Sequence, residues 1–249
     1  MLTVPRFTII TVCFNAEATL PATAGSLVAQ RCTDYEWLVV DGASTDRTVA
    51  IARDANVADM RLISEPDGGI FDAMNKGVEL ARGDWLYFLN CGDAIADADV
   101  LTDVAAAIDA DPEIALLWGD MLYVSDVREW ARIYRHVKPS TIVFDDLNHQ
   151  AVFARRTLFD DFGQFNLDFK TSADYDWLVR VLHGGAKYRR LQRIIARFAT
   201  GGMHSADPQA LAAERHRLRL QYLSQANLSR GLFIGRIRRR LRILAGHGG

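Results

Sequence analysis

The polypeptide has 249 residues, of which 49% are hydrophobic and 24% are charged, and its formal net charge is −2. A chain of this length and composition can bury a sizeable core, and we expect one globular domain with an extension. The near-neutral charge gives no indication of nucleic-acid binding, which usually requires an excess of basic residues.

The three cysteines, Cys13, Cys32 and Cys91, are widely spaced and form no CxxC pair. Such a set argues against a disulfide framework and a structural zinc site, and it favours a reducing compartment, the cytoplasm. The apolar start MLTVPRFTIITVCF has neither a charged leader nor a small-residue cleavage site, so we interpret it as a buried strand. No stretch approaches the roughly twenty uninterrupted apolar residues that a bilayer-spanning helix needs.

Short β-branched and aromatic runs alternate with helical patterns in the first half of the chain, which is typical of a parallel sheet built from βαβ units. The predicted strands cover residues 7–14, 36–40, 61–64 and 85–89. The predicted helices lie near residues 17–30, 46–55, 70–82 and 98–110. Because the strands are almost continuously apolar, we expect helices on both faces of the sheet.

The pattern changes after Asp111-Pro112. Three further strands are predicted over residues 114–119, 121–126 and 127–137, and their turn residues indicate a small antiparallel extension. A helix follows at 172–183, and a charged helical segment begins near 207. We therefore predict an α/β domain over residues 1–206 and a C-terminal helical extension over residues 207–249.

Polar residues follow the carboxyl ends of all four parallel strands, which is where such sheets bind their ligands. They are Asn15, the segment 41–46, the segment 65–69 and the segment 90–93. We expect these four segments to line one crevice.

Asp41 ends strand two and precedes a glycine, so it has no helix of its own to cap. Its carboxylate could accept hydrogen bonds from a nucleotide base or ribose, or it could hold an Asx-turn, and the sequence leaves both open. Asp46 is expected to cap the helix that follows it.

Gly68-Gly69 precedes a helix with an apolar stripe and with Asp72, Asn75 and Lys76 on another face. Glycines there let the backbone approach a ligand and aim helix N–H groups at an anion. No GxGxxG follows strand one, so a dinucleotide-binding loop is not indicated.

Two further aspartates could carry chemistry. Asp93 lies at the mouth of the crevice and could supply one of the carboxylates that Mg²⁺ or Mn²⁺ takes, although a turn aspartate would look the same. Asp174 lies in the first turn of a helix and faces the domain, whereas Asp176 can pair with Arg180. A first-turn carboxylate favoured by the helix dipole is the alternative for Asp174.

Five segments, taken in order, resemble family 2 glycosyltransferases, in particular bacterial enzymes that build surface polysaccharides. The segments are TIITVCFNAEATL, YEWLVVDGASTDRT, SEPDGGIFDAMNKGVELARGDWLYFLNCGD, NHQAVFARRTLF and FGQFNLDFKTSADYDWLVR. The resemblance covers residues 5–205 or so. It implies a GT-A fold, a Rossmann-like and mostly parallel sheet, and a nucleoside-diphosphate-sugar donor with UDP as the expected nucleotide.

The resemblance also assigns roles to individual positions. The residues expected to bind the donor are Thr11, Cys13, Asn15, Asp41, Asp67, Asp72, Lys76 and Asn90. Asp93 matches the final aspartate of the DxDD-like metal sequence, and Asp174 matches the catalytic base of the family's ED element. His149 and Gln150 lie on the acceptor side.

Two departures from the family pattern weaken the metal assignment more than the fold. Asn90 and Gly92 replace acidic residues beside the metal, and Ala173 replaces the glutamate before the base. His204, in GGMHS, is either a further metal ligand or an exposed loop histidine.

These positions define the expected reaction. Asp174 would remove a proton from an acceptor hydroxyl, which attacks the anomeric carbon opposite the departing diphosphate, so that the enzyme is an inverting, hexosyltransferase-type glycosyltransferase. Mn²⁺ or Mg²⁺ at Asp93, helped by Lys76, would neutralise charge on the leaving group. The acceptor would be a glycan or a lipid-linked oligosaccharide in cell-surface polysaccharide biosynthesis.

Two other classes of protein are alternatives to a glycosyltransferase. A sugar-nucleotide-forming nucleotidyltransferase would want a glycine-rich basic loop after strand one, and FNAEAT offers none. A non-catalytic nucleotide-sugar-binding module would differ by releasing no nucleoside diphosphate.

The C-terminal sequence GLFIGRIRRRLRILAG places apolar residues on one helical stripe and arginines on the remaining surface. Basic amphipathic helices of this kind bind anionic membrane surfaces. We predict contact of residues 230–245 with the inner face of the cytoplasmic membrane, near a lipid-linked acceptor. Packing of the helix on the domain or on a second subunit is the alternative.

Overall fold

The computed structural model describes residues 4–145, 147–200 and 208–223. The strands are β1 (Phe7–Cys13), β2 (Tyr35–Asp41), β3 (Met60–Ser64), β4 (Trp85–Phe88), β5 (Ala94–Ile95), β6 (Leu116–Val124), β7 (Glu129–Arg132), β8 (Val152–Arg155) and β9 (Tyr188–Ala199). The α-helices are α1 (Leu20–Val28), α2 (Thr48–Asp54), α3 (Ile70–Leu80), α4 (Val100–Asp109), α5 (Thr157–Phe162), α6 (Ala173–His183) and α7 (Pro208–Tyr222). Two 3₁₀ turns cover Ile142–Phe144 and His149–Ala151.

One mixed sheet contains the described strands, in the order β3-β2-β1-β4-β8-β6-β9-β5, with β7 paired to β6. Strands β1 to β4 are mutually parallel, as are β6 and β9. The antiparallel pairs involve β8, β7 and the short β5. The mostly parallel sheet with an antiparallel extension, predicted from the sequence, is confirmed.

Both faces of the central strands are buried. Every residue of β1 is buried, and alternate side chains enter two separate apolar clusters. Ile10 and Val12 pack in the cluster that holds side chains of α3 and α6, whereas Phe7 and Ile9 pack with α1 and α4. This alternation explains why the strands read as continuous apolar runs in the sequence.

The second half of the sheet differs from the prediction. Segments 114–119 and 121–126, predicted as two strands, form the single strand β6, and only Glu129–Arg132 of segment 127–137 forms a strand. The pairing of β6 with β9 is irregular on both sides of Asp120. Gly119 lies at this irregularity, where a Cβ atom would stand 2.5 Å from the carbonyl oxygen of Arg193. The glycine therefore permits a close approach of β9 and does not mark a turn.

Two predicted side-chain placements have different outcomes. Asp176 pairs with Arg180 at 2.9 Å, as expected from the helical spacing. Asn75, expected on a polar face of α3, is buried instead, and its amide makes two hydrogen bonds of 2.9 Å with the backbone of Phe165. That pair fixes α3 to the loop that precedes α6.

The C-terminal part of the chain is described only as far as residue 223. The charged helix predicted near 207 is α7. Residues 230–245, for which membrane contact was predicted, lie outside the described residues, as does His204. In the parts of the chain that the structure describes, no helix is both long enough and apolar enough to cross a bilayer.

Gly119→Ala is expected to lower the free energy of unfolding by roughly 1–3 kcal/mol, because backbone must move to admit the new methyl group. Gly25→Ala is the matched control, since a Cβ at this position in α1 meets nothing within 4 Å. Alanine also favours helices, so Gly25→Ala should be neutral or slightly stabilising. Urea denaturation of both variants would test the comparison, and equal stabilities would contradict it.

Candidate active site

The carboxyl ends of β1, β2 and β4 meet at one edge of the sheet, because β1 is parallel and in register with both neighbours. Asn15 joins the first two loops at this edge. Its backbone N–H donates to the Ser44 hydroxyl at 2.8 Å, and its side-chain oxygen accepts from the Thr45 N–H at 2.9 Å. The residue adopts a φ of +47°, which asparagine tolerates better than most residues.

Asp41 is fully buried, and its carboxylate is bonded to its own loop and to Ser64 at the end of β3. One carboxylate oxygen accepts from the Ser44 hydroxyl, and the other accepts from the Ser44 N–H at 3.0 Å and the Ser64 hydroxyl at 2.6 Å. These contacts agree with the turn interpretation. A role for Asp41 in binding a base stays a prediction.

Asp46 behaves as a cap. Its carboxylate accepts from the backbone N–H of Thr48, the first residue of α2, at 2.9 Å, and from the N–H of Glu17 at 3.0 Å. It therefore secures both the helix and the neighbouring loop.

The side chains of Thr11 and Cys13, which the resemblance assigns to the donor site, are both buried, and a role for either residue in donor binding stays a prediction. Thr11 is fully buried, and its hydroxyl accepts from the Trp37 indole N–H at 2.9 Å. Cys13 is 5% exposed, and a hydrogen bond with the Cys91 thiol, together with burial, raises the pKa of its thiol. Both side chains lie on the face of β1 opposite Val12, and both faces of this strand are buried.

Phe14, which the sequence analysis did not single out, is the aromatic residue at this edge. Its side chain is 57% exposed. The ring lies 3.5 Å from the position of a Cβ on Gly42, next to the Asp67 carboxylate. An exposed ring at the end of a buried strand offers a flat apolar surface.

The glycine loop before α3 is held by carboxylates. Gly68 donates its N–H to Asp72 and Gly69 donates its N–H to Asp67, both at 2.8 Å. These N–H groups, expected to face an anion, are thus already bonded within the loop. Lys76 forms an ion pair of 2.8 Å with Glu65 from the same region, and that hydrogen bond raises the pKa of its amine.

The loop after β4 is positioned by Thr23 of α1. The Thr23 hydroxyl donates to the carbonyl of Asp93 at 2.7 Å and accepts from the N–H of Gly92 at 3.0 Å. Gly92 adopts a φ of +93°, a conformation that disfavours side chains. Glycine at position 92 fits this backbone conformation.

Asp93 is a buried carboxylate, 3% exposed, at the end of this loop. Its Oδ1 accepts from the backbone N–H of Ala199 at 2.8 Å. Burial raises the pKa of Asp93 to about 6, and the opposing contributions of Gln150, Ala199 and His149 do not cancel the effect. Such a group is costly to ionise without a cation nearby.

Asn90, His149 and Asp174 form a continuous relay. The Asn90 amide nitrogen lies 3.3 Å from His149 Nε2, and His149 Nδ1 lies 2.9 Å from Asp174 Oδ2. Because an amide nitrogen only donates, Nε2 is the acceptor and the ring proton lies on Nδ1, from which it is donated to Asp174. The relay joins the loop after β4 to the first turn of α6.

The carboxylate of Asp174 is ionised at neutral pH. Burial opposes ionisation most strongly, but the hydrogen bond from His149 and the charge of Arg215 outweigh it and lower the pKa of Asp174. The side chain is 19% exposed, so a solute can reach it. It is the group in this relay that can accept a proton.

A divalent cation finds few ligands in the described part of the chain. No group of three or more His, Cys, Asp or Glu residues there could hold a metal ion. Two groups with oxygen ligands fit a hard cation, the Asp93 carboxylate and the side-chain amide of Asn90. The Asn90 Oδ1 atom is buried, and no described residue donates a hydrogen bond to it. Ligand phosphates and water complete such sites in many proteins. Gln150 is fully buried near Asp93, and its role on the acceptor side stays a prediction.

Solved structures with the same fold are glycosyltransferases. The chain matches Staphylococcus aureus TarS 1–349, in complex with UDP-GlcNAc, with a TM-score of 0.71 at 22% identity, over 81% of this chain and 61% of that one. The mannosyltransferase PcManGT from Pyrobaculum calidifontis, in complex with GDP-Man and Mn²⁺, matches with a TM-score of 0.63 at 17% identity, over 82% and 60% of the two chains. The chain therefore spans less than two thirds of either neighbour, and the fold is GT-A.

The sequence comparison identifies the family. The model of Glycosyl transferase family 2 matches residues 8–185, so the chain belongs to that family. A PGL/p-HBAD biosynthesis glycosyltransferase of Mycobacterium bovis (strain BCG / Pasteur 1173P2) is 36% identical over 195 residues, which are 77% of this chain and 75% of the relative. An uncharacterized glycosyltransferase of Mycobacterium tuberculosis is 33% identical over 184 residues, 72% of this chain and 70% of the relative.

Asp93→Asn is expected to stabilise the protein at neutral pH. The folded pKa near 6 exceeds the value of about 4 in the unfolded chain, so ionisation of Asp93 lowers the free energy of unfolding as the pH rises between these values. Removing the charge should add roughly 1–3 kcal/mol at pH 7.5 and almost nothing near pH 4.

Urea denaturation at both pH values would measure this difference. Asp126→Asn, at an exposed position in the loop between β6 and β7, serves as the control and should change neither value. An unchanged or lower stability of Asp93→Asn at pH 7.5 would show that the Asp93 carboxylate carries no such cost.

Proposed function

We propose that the protein is an inverting glycosyltransferase that moves a sugar from a nucleoside-diphosphate-sugar to an acceptor hydroxyl. The observation that carries the proposal is the Asn90–His149–Asp174 relay, which holds an ionised carboxylate beside the loop of Asp93. Membership of Glycosyl transferase family 2 supports the class of reaction.

Asp174 acts as the general base. His149 holds Oδ2, and the remaining carboxylate oxygen takes the proton from the acceptor hydroxyl. The acceptor oxygen forms a bond to the anomeric carbon as the bond to the nucleoside diphosphate breaks on the opposite face. One substitution of this kind inverts the anomeric configuration.

The donor is a UDP-sugar bound at the sheet edge. The TarS structures contain UDP-GlcNAc or UDP, which supports a nucleoside diphosphate, whereas the PcManGT complex contains GDP-Man. Phe14 stacks on the base, and Asn15, Asp41 and Asp67 shape the loops around it.

Mn²⁺ or Mg²⁺ is the proposed cofactor, held by the Asp93 carboxylate and the Asn90 side-chain oxygen. When bound, such an ion supplies positive charge that stabilises a diphosphate leaving group. The buried Asp93 carboxylate would be less costly to ionise with such an opposite charge beside it. Lys76 is turned towards Glu65 and would have to leave that partner to reach a phosphate.

The acceptor is a glycan or a lipid-linked oligosaccharide of the cell surface. The name of the mycobacterial relative places that protein in PGL/p-HBAD biosynthesis, and a Myxococcus xanthus relative, 36% identical over 121 residues, 47% of this chain and 9% of the relative, is named an O-antigen biosynthesis protein. A cytoplasmic protein with a membrane-bound C-terminal segment would suit such an acceptor, and this location stays a prediction.

Asp174→Asn is expected to lower kcat by roughly 10²–10⁴-fold, because the amide cannot accept the proton. His149→Gln keeps an N–H donor near Asp174 and should cost less. Because His149 lowers the pKa of Asp174, its replacement should raise that pKa and move the acid limb of the kcat profile to higher pH.

Both variants would be measured by release of nucleoside diphosphate and by formation of glycosylated acceptor. Asp168→Asn is the matched control, since Asp168 is an exposed aspartate on the loop before α6. Full activity of a folded Asp174→Asn would remove Asp174 from the role of base.

Phe14→Ala is expected to weaken donor binding by roughly 5–10-fold, because one aromatic stacking contact contributes about 1 kcal/mol. Isothermal titration with UDP and Mn²⁺ would measure the change. Val28→Ala is the control, since Val28 is 52% exposed at the end of α1. Equal affinities of the two variants would exclude Phe14 from the donor site.

A further inference from the structure

The helix α7 lies beyond residues 8–185, which the family model matches, yet it contacts the segment that carries Asp174. Glu214, on α7, accepts four hydrogen bonds from that segment. One oxygen accepts from the N–H of Lys170 at 2.7 Å, and the other accepts from the N–H and hydroxyl of Thr171 and the hydroxyl of Ser172, at 2.8–2.9 Å.

The contacts of Glu214 lie at the start of α6. Ser172 directly precedes α6, and its hydroxyl donates to Glu214 and does not cap the helix itself. The carboxylate therefore lies at the N-terminal end of α6, where the helix dipole favours a negative charge. Burial raises the pKa of Glu214, but the hydrogen bonds from Lys170 and Thr171 outweigh burial and lower it, so the group is ionised at neutral pH.

Neighbouring residues of α7 hold the flanks of the same segment. The Arg217 guanidinium lies 4.3 Å from the centre of the Phe169 ring and donates to the Asp168 carbonyl at 2.9 Å. The Arg215 guanidinium lies 5.1 Å from the centre of the Tyr175 ring, next to Asp174. Leu218 of the same helix is fully buried. Residues 168–175 are thus clamped from one side by α7.

We propose that Glu214 is a positioning residue for catalysis, which fixes residues 170–172 and thereby the place of Asp174 in the first turn of α6. The role of Asp174 as base belongs to the proposed function, on which this inference rests. Ala173, the residue before Asp174, is fully buried and brings no carboxylate of its own. Glu214 supplies one from an element outside the family domain.

If Glu214 fixes the place of Asp174, its replacement should slow the reaction. If Glu214 only attaches α7 to the domain, any other loosening of α7 should have the same effect. An amide at position 214 loses the charge and one of the two accepting oxygens, which loosens the loop before α6, and a displacement of the base by about 1 Å can cost on the order of 10²-fold in rate. Donor binding should not change, since the contacts of Glu214 are with residues 170–172 and not with the loops after β1, β2 and β4.

The test compares Glu214→Gln with Arg219→Ala in the whole chain. Arg219 anchors α7 elsewhere, by donating to the Val143 carbonyl at 2.8 Å, so its removal loosens the helix without touching residues 170–172. We expect Glu214→Gln to lower kcat by roughly 10–100-fold with the KM for the donor within about twofold. Arg219→Ala should keep kcat within about threefold of the wild type.

Amide hydrogen exchange measured by mass spectrometry provides a readout that does not depend on activity. In Glu214→Gln, a peptide covering residues 168–174 should exchange at least about tenfold faster, while peptides from β1 and β4 stay unchanged. Unchanged exchange at residues 170–171 would overturn the proposal. So would an equal loss of kcat in both variants, since Glu214 would then only attach α7.

The two proposals can fail separately. If the wild-type chain transfers no sugar, the proposed function is wrong, and the exchange experiment alone decides whether Glu214 holds the segment. If the wild type is active and Glu214→Gln retains its kcat, Asp174 stays the proposed base and Glu214 is not needed to position it.

Discussion

The hydrogen bond between His149 and Asp174 joins the turn before β8 to the first turn of α6. The other ring nitrogen of His149 faces Asn90 after β4. A neutral imidazole has one donor and one acceptor, so it can connect an amide to a carboxylate only in one tautomer. Asp174, Asn90 and the sheet edge are therefore arranged relative to one another by a single ring.

The site is built from groups that stability alone would not favour. Asp93 is ionised in a buried position, and Asn90 keeps an oxygen without a donor among the described residues. Gly92 adopts a left-handed conformation in the same loop. Such features persist where the surroundings enforce them, and here Thr23 fixes the loop from α1. Strain and burial that occur together in one loop indicate function more strongly than any one carboxylate does.

The sequence predicted the strands β1 to β4 because burial on both faces makes them almost continuously apolar. It could not predict β9, which has the sequence YRRLQRIIARFA. Most side chains of this strand are only partly buried, so the strand keeps many polar residues and lacks a continuous apolar run. The resemblance assigns Thr11 to the donor, and the hydrogen bond that its hydroxyl accepts from Trp37 could not be predicted from the sequence. The relay of Asn90, His149 and Asp174 joins residues far apart in the chain, and the exposure of Phe14 depends on packing. Neither can be read from local pattern.

The contact between Gly42 and Asp67 has a consequence for related sequences. A Cβ at position 42 would stand 2.6 Å from the Asp67 carboxylate, so the Asp67 side chain occupies the space that a side chain at position 42 would need. The two loops follow different strands. Homologues with a small residue at position 67 should therefore tolerate larger residues at position 42, and substitutions at these two positions should be correlated through evolution.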